Sequence, residues 1–97
     1  MQIIRQHYMF LVQNLDAKHS LLVNELYQAK VLNEEETVMI CSELTSFKQN
    51  TKLLWILRSK TKDEFEMFLD LLDKTGQQRV RSRITGRQRM FIAFIRL

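Results

Sequence analysis

Apolar residues return at helical spacing along six stretches of this chain. In residues 3–15 the stripe is Ile4, Tyr8, Leu11, Val12 and Leu15. Residues 20–29 repeat it with Leu22, Leu26 and Ala29, after a short joint at Asp16-Ala17-Lys18. Residues 34–44 place Thr37, Ile40, Cys41 and Leu44 on one side, and residues 47–58 do so with Phe47, Leu53, Leu54 and Leu57. The cleanest pattern lies in residues 62–74, where Phe65, Phe68, Leu69 and Leu72 occupy i, i+3, i+4 and i+7. A sixth helix over residues 77–84 rests on Val80 and Ile84 alone.

Start and stop signals divide these stretches. Asn33 precedes three glutamates, so its side chain can accept a first-turn N–H while Glu36 reaches back, which is a capping box. The same grammar is read at Ser46-Phe47-Lys48-Gln49 and at Thr61-Lys62-Asp63-Glu64. Gly76 follows the fifth stretch and supplies the left-handed conformation that ends a helix. The chain has 97 residues, no proline and two glycines, so it lacks the breakers that tight β-turns require, and the expected class is all-α. An apolar fraction of 45% and a charged fraction of 27% are those of one globular domain with a single modest core. No apolar run reaches the length of a membrane span, and Arg5, Gln6, His7, Gln13 and Asn14 interrupt any leader-like run at the start. The lone Cys41 excludes an internal disulfide, and a cytoplasmic location is expected.

Charge changes the picture at one end only. Residues 1–76 hold nine Lys or Arg against eleven Asp or Glu, a net −2; residues 77–97 hold six arginines and no acid, a net +6. The formal +4 therefore belongs to the terminal segment and says little about the bundle.

Taken in order, Leu21-Leu22-(x3)-Leu26-(x4)-Val31-Leu32-Asn33-Glu34-Glu35-(x4)-Ile40, then Asn50-(x2)-Leu53-Leu54-Trp55-Ile56-Leu57, then Phe65-(x2)-Phe68-Leu69-(x2)-Leu72-(x3)-Gly76 resembles a caspase recruitment domain. The joint is similar to those of caspase prodomains and of nucleotide-binding innate immune receptors, and Ser46 to Leu57 leans towards the prodomains. The resemblance covers residues 3–84 and suggests a domain over 1–84 followed by a basic and apolar tail or linker over 85–97. It implies the death fold, a six-helix antiparallel Greek-key bundle whose first helix is often kinked. It also implies homotypic recruitment of other such domains, on a caspase or on a nucleotide-binding assembly platform, in apoptosis or innate immunity. Oligomers or filaments are part of that expectation. A complete chain of this kind would recruit only, as nucleator or as decoy; a piece of a longer one would carry an effector. Two stretches depart from the family pattern: the polar sixth helix Arg79-Val80-Arg81-Ser82-Arg83-Ile84, and the run from Arg87 to Leu97.

Contacts in that family often set an acidic face against a basic one. The acidic candidates here are Glu25, Glu34, Glu35, Glu36 and Glu43; the basic candidates are Arg5, Lys48, Lys52 and Arg58. Solvated faces of an ordinary bundle explain the same residues, and the glutamate triplet also serves as a helix start. Trp55 is open to two readings, a partner anchor or a ring folded over the core's rim; core or rim packing is the expectation for Val38 and Met39.

No catalytic, metal or cofactor constellation emerges. His7 and His19 are twelve apart without a ligand spacing, Cys41 falls on an inner side and reads as an inert thiol, and Asp70 with Asp73 is an ordinary polar pair. No enzyme, cofactor or small-molecule substrate is expected. The alternative to recruitment is nucleic-acid or anionic-membrane binding by the arginine-rich end, with Arg79, Arg81 and Arg83 and the apolar run 90–95 lying on an acidic bilayer as a basic amphipathic segment. A plain helical scaffold for one unrelated partner is the third class.

Overall fold

The computed structural model describes residues 2–86 and contains seven helices and no strand among them. They are α1 (Gln2–Gln6), α2 (Tyr8–Asn14), α3 (Leu22–Gln28), α4 (Glu34–Cys41), α5 (Ser46–Leu57), α6 (Lys62–Lys74) and α7 (Gln78–Thr85). The expected first helix is present as α1 and α2, broken at His7 (φ −114°, ψ 22°). Hydrogen bonds run through the break, from His7 N–H to Ile3 O at 3.2 Å and from Leu11 N–H to His7 O at 2.9 Å. The joint is thus a kink within one continuing helical path.

Packing does not follow chain order. α5 lies against α2 and α4, α3 against α4 and α6, and α7 against α6. The non-sequential pairs α2–α5 and α3–α6 make this a crossed, Greek-key-like bundle. Each helix contributes its stripe to one core, with Ile4, Leu11, Leu22, Leu26, Ile40, Leu53, Leu54, Leu57, Phe68 and Leu72 fully buried. Phe65 and Phe68 meet with ring centroids 5.6 Å apart. The polar-looking α7 forms because Val80 and Ile84, four apart, are both buried, while Arg81 bonds Asp70 at 3.0 Å and Asp73 at 2.7 Å on α6.

Caps set the boundaries. Asn33 with Glu36 and Thr61 with Glu64 are complete capping boxes. The backbone N–H of Thr61, its hydroxyl and nearby Lys60 together hold the Glu64 carboxyl below the usual glutamate value. That support is in place at neutral pH and disappears as pH falls through the lowered value. The cap of α5 is Thr45, which accepts from Lys48 N–H at 3.1 Å, one residue ahead of the expected Ser46. Thr45 must be extended to do this, so α4 stops at Cys41 instead of running to Leu44. The exposed carbonyls beyond it are taken by side chains, Glu43 O by Gln49 Nε2 at 2.9 Å and Leu44 O by Lys18 Nζ at 2.5 Å.

Two helix ends have a six-to-one closure. After α6, Gln77 N–H donates to Leu72 O and Gly76 N–H to Asp73 O, with Gly76 at φ 81°. After α3, Val31 N–H donates to Leu26 O and Lys30 N–H to Tyr27 O, but the left-handed residue is Lys30, at φ 66°.

Several expected core positions lie outside. Cys41 and Leu44 are exposed, and so is Phe47. Ile40 is the only buried residue of α4, while Val31 and Leu32 of the preceding joint are both buried in the core. Cys41 is turned ~100° from Ile40 and so faces out. On α5 the inner face belongs to Asn50, Leu53, Leu54 and Leu57, which leaves Phe47 at its edge in the first turn.

The loop between α2 and α3 is held by two buried amides. Asn50 donates to Val12 O at 2.9 Å and Leu15 O at 2.6 Å and accepts from Ala17 N–H at 3.0 Å. Gln77 accepts from Asp16 N–H at 2.8 Å and donates to Asp16 O at 3.2 Å and Ser20 Oγ at 3.1 Å. Replacing Asn50 with alanine would strand buried carbonyls and an N–H; chemical denaturation should show a loss on the order of 3 kcal/mol. Lys30→Gly removes a left-handed side chain without touching a contact, and calorimetry should show a gain of about 0.5–1 kcal/mol.

Candidate functional site

The acidic candidates come from α3, α4 and the turn after α4, and they do not form one surface. Glu25 pairs with Lys74 of α6 at 3.1 Å. Glu43 pairs with Lys52 of α5 at 3.8 Å, so one member of each candidate face is joined to the other within the chain. Glu36 is engaged twice: it closes the capping box on Asn33 N–H at 3.0 Å and holds Lys60 Nζ at 2.9 Å. Both partners of that last pair are largely shielded, with side-chain exposures of 16% and 21%, so the pair works as a brace between the start of α4 and the turn after α5. Glu34 and Glu35 alone remain exposed and without an ion partner among the described residues. They border a shallow groove with Asn33, Val38 and Met39, and both of those apolar side chains are exposed where core or rim packing was expected.

The basic candidates lie on α1, α5 and the turn after it. Arg5 and Arg58 line one groove with Gln2, Ile4 and Tyr8, bringing together residues 53 positions apart in sequence. Arg58 also stacks its guanidinium over the Trp55 ring, 4.2 Å from the centroid. Trp55 is 56% exposed, so most of its surface faces solvent. Lys48 borders a second groove on α5 with Phe47, Thr51, Lys52, Trp55 and Glu43. Neither Arg5, Lys48 nor Arg58 has a carboxylate partner among the described residues.

The arginines of α7 are partly spent on the fold. Arg81 faces inward to Asp70 and Asp73, and Arg83 lies over Phe10 at 4.8 Å, so these two do not project with Arg79 as a single basic strip. Residues 87–97, and with them the apolar run 90–95, lie outside the described residues. His19 approaches Asp16 at 3.7 Å, and no group of three or more His, Cys, Asp or Glu residues is placed to hold a metal among the described residues. No described helix is long and apolar enough to cross a membrane.

Sequence reasoning missed the internal pairs. Glu25 and Lys74 are 49 residues apart and Glu36 and Lys60 are 24 apart, so no local spacing announces them. It also missed the outward apolar residues of α4 and α5, since Phe47 was grouped with Leu53, Leu54 and Leu57 on one side. The glutamate triplet therefore separates by role. Glu36→Ala should lower stability by about 1–2 kcal/mol in denaturant titration, through loss of cap and brace. Glu34→Gln with Glu35→Gln should change it by less than about 1 kcal/mol, the size of a helix-dipole effect.

Comparison with family models matches residues 1–87 of this chain to the family described as caspase recruitment domain. Comparison with curated proteins and with solved structures gave no match.

Proposed function

This chain belongs to the caspase recruitment domain family, whose members bind other domains of their kind, and from that premise we propose how it recruits. The exposed Glu34–Glu35 edge of α4 docks on the basic side of a related domain, and its own Arg5, Lys48 and Arg58 receive the acidic edge of another. The related domain sits on a caspase prodomain or on a nucleotide-binding assembly platform, in the cytoplasm, in apoptotic or innate immune signalling. The chain itself performs no catalysis in this reading; assembly raises the local concentration of whatever the partners carry.

One observation carries the reading. Internal ion pairs take up Glu25, Glu36, Glu43 and Lys52, yet Glu34, Glu35, Arg5, Lys48 and Arg58 are left open on two separate edges. Charges left open on a surface are available to a partner of opposite sign. Opposite open edges steer two domains together and fix their orientation, while each exposed pair adds only ~0–1 kcal/mol. The surfaces suit an activator and a decoy alike. A polyanion reading through the arginine-rich end draws less support, because Arg81 and Arg83 are committed to contacts within the bundle.

Reversing Glu34 and Glu35 to lysine, or Lys48 and Arg58 to glutamate, should reduce capture of related recruitment domains at least about 10-fold, consistent with loss of complementary steering. Circular dichroism should remain that of the folded helical bundle. Capture that is unchanged in both double variants would remove the two-edge model. Binding that disappears only when the chain is cut after Ile84 would favour the arginine-rich end.

A further inference from the structure

α7 carries an exposed hydroxyl that the fold leaves unbonded. Most serine and threonine hydroxyls of the described residues are engaged: Thr37, Ser42, Thr51, Thr75 and Thr85 donate to the carbonyl four residues back, and Thr45 and Thr61 cap helices. Ser20 and Ser59 also donate to carbonyls. Ser46, which is half-buried, and Ser82, which is exposed, make no such bond. Ser82 follows Arg79-Val80-Arg81 and precedes Arg83. Arg79 lies three residues back, so it shares a helix face with Ser82; it is exposed and has no ion pair among the described residues. Ser82, Arg79 and Arg83 line one groove with Phe10 and Asn14, and no carboxylate borders it. Arg81 is set apart from this group by its bonds to Asp70 and Asp73.

We propose that Ser82 is a phosphorylation site for a serine/threonine kinase that selects arginine three residues before the hydroxyl, and that Arg79 and Arg83 then hold the phosphate. In the transfer, the bond between the γ-phosphorus of ATP and its β–γ bridging oxygen breaks and a bond from Ser82 Oγ to that phosphorus forms. The hydroxyl proton passes to the kinase's base and ADP leaves. A kinase cleft takes its substrate as extended chain, and α7 can supply one. It has eight residues, no side-chain cap bond at Gln77 and only Val80 and Ile84 buried, so its last turn opens at less cost than the core helices. Once helical again, the phosphate has Arg79 one turn back and Arg83 beside it. A charge-assisted bond to phosphate is stronger than an exposed guanidinium–ring contact, so Arg83 leaves the Phe10 ring, over which it lies at 4.8 Å in the unmodified chain. The added charge of about −1.5 to −2 cancels roughly a third of the net +6 on residues 77–97, which makes the modification a switch on the charge of that end. Ser82 borders none of the grooves of the two recruitment edges, so the proposal stands apart from the recruitment reading.

The test is incubation of the folded 97-residue chain with ATP, Mg²⁺ and a purified kinase of that arginine-directed class, with the site mapped by peptide mass spectrometry. One phosphate should enter, at Ser82, and Ser82→Ala should take up none. Arg79→Ala should slow labelling at least about 10-fold, the worth of one charge-assisted contact, while Arg83→Ala should leave the rate nearly unchanged. Ser82, Arg79 and Arg83 are all exposed, so circular dichroism should stay that of the parent. In the phosphorylated chain, ³¹P NMR should show the second phosphate ionisation below its value in the same chain unfolded in urea, because two guanidinium groups favour the dianion. Arg83→Ala, once phosphorylated, should bring it part of the way back. Label on Ser46 or Thr85 in place of Ser82 would overturn the proposal, as would a folded chain that takes up no phosphate or an Arg79→Ala chain labelled at the parent rate. A phosphate that ionises alike in the folded and the unfolded chain would remove the arginine cradle. None of these results bears on capture of related domains by the Glu34–Glu35 and Lys48–Arg58 edges, which tests the recruitment reading separately.

Discussion

The carboxamide of Asn50 is the contact on which the rest of the bundle depends. It lies almost wholly buried on α5 and ties down two carbonyls at the end of α2 and one N–H of the following loop. Gln77, from the far end of the chain, pairs with both the N–H and the O of Asp16 in the same loop. The buried start of that loop, around Leu15 and Ala17, would otherwise leave backbone polar groups without partners, which is strongly unfavourable. With the amides in place, the turn from α2 to α3 is tied to both α5 and the start of α7.

Charge is used in two ways that the linear sequence does not separate. Lys60–Glu36, Lys74–Glu25 and Arg81 with its two aspartates tie elements across the bundle, with Lys60–Glu36 and Arg81–Asp73 shielded on both sides. These pairs contribute modestly to stability, but they fix which side chains are left over. Among the candidate charges, those left over are Glu34 and Glu35 on one edge and Arg5, Lys48 and Arg58 on another, and they border the exposed apolar residues Val38, Met39, Phe47 and Trp55. The outer surface is thus shaped by what the interior has already taken. α4 illustrates this best: Val31 and Leu32 are buried in the joint ahead of it, Ile40 is its only buried residue, and Val38, Met39 and Cys41 face out.

Local grammar was readable wherever it involved residues within one helical turn. The capping boxes at Asn33–Glu36 and Thr61–Glu64, the stop at Gly76 and the buried stripe of α6 all follow from spacings of three or four residues, and all are present. Readings failed where two such signals competed. Ser46 and Thr45 are both good caps, and the choice of Thr45 shortened α4 and put Leu44 in solvent. Phe47 matches the spacing of both the inner face, through Asn50 and Leu54, and the outer one, through Thr51 and Trp55. Only the position of the neighbouring helices decides between them.

The sequence by itself therefore determined the class, the number of helical stretches, most of their ends, the core of α6 and the family, because each rests on interactions closed within a few residues. Tertiary structure decided the rest: which carboxylates are paired inside, that α7 docks through Arg81, and that Trp55, Phe47, Val38 and Met39 face outward. The reason is geometric. A helix has a period but no preferred rotation until something packs against it, and an ion pair between residues 24 or 49 positions apart exists only once the chain has crossed itself.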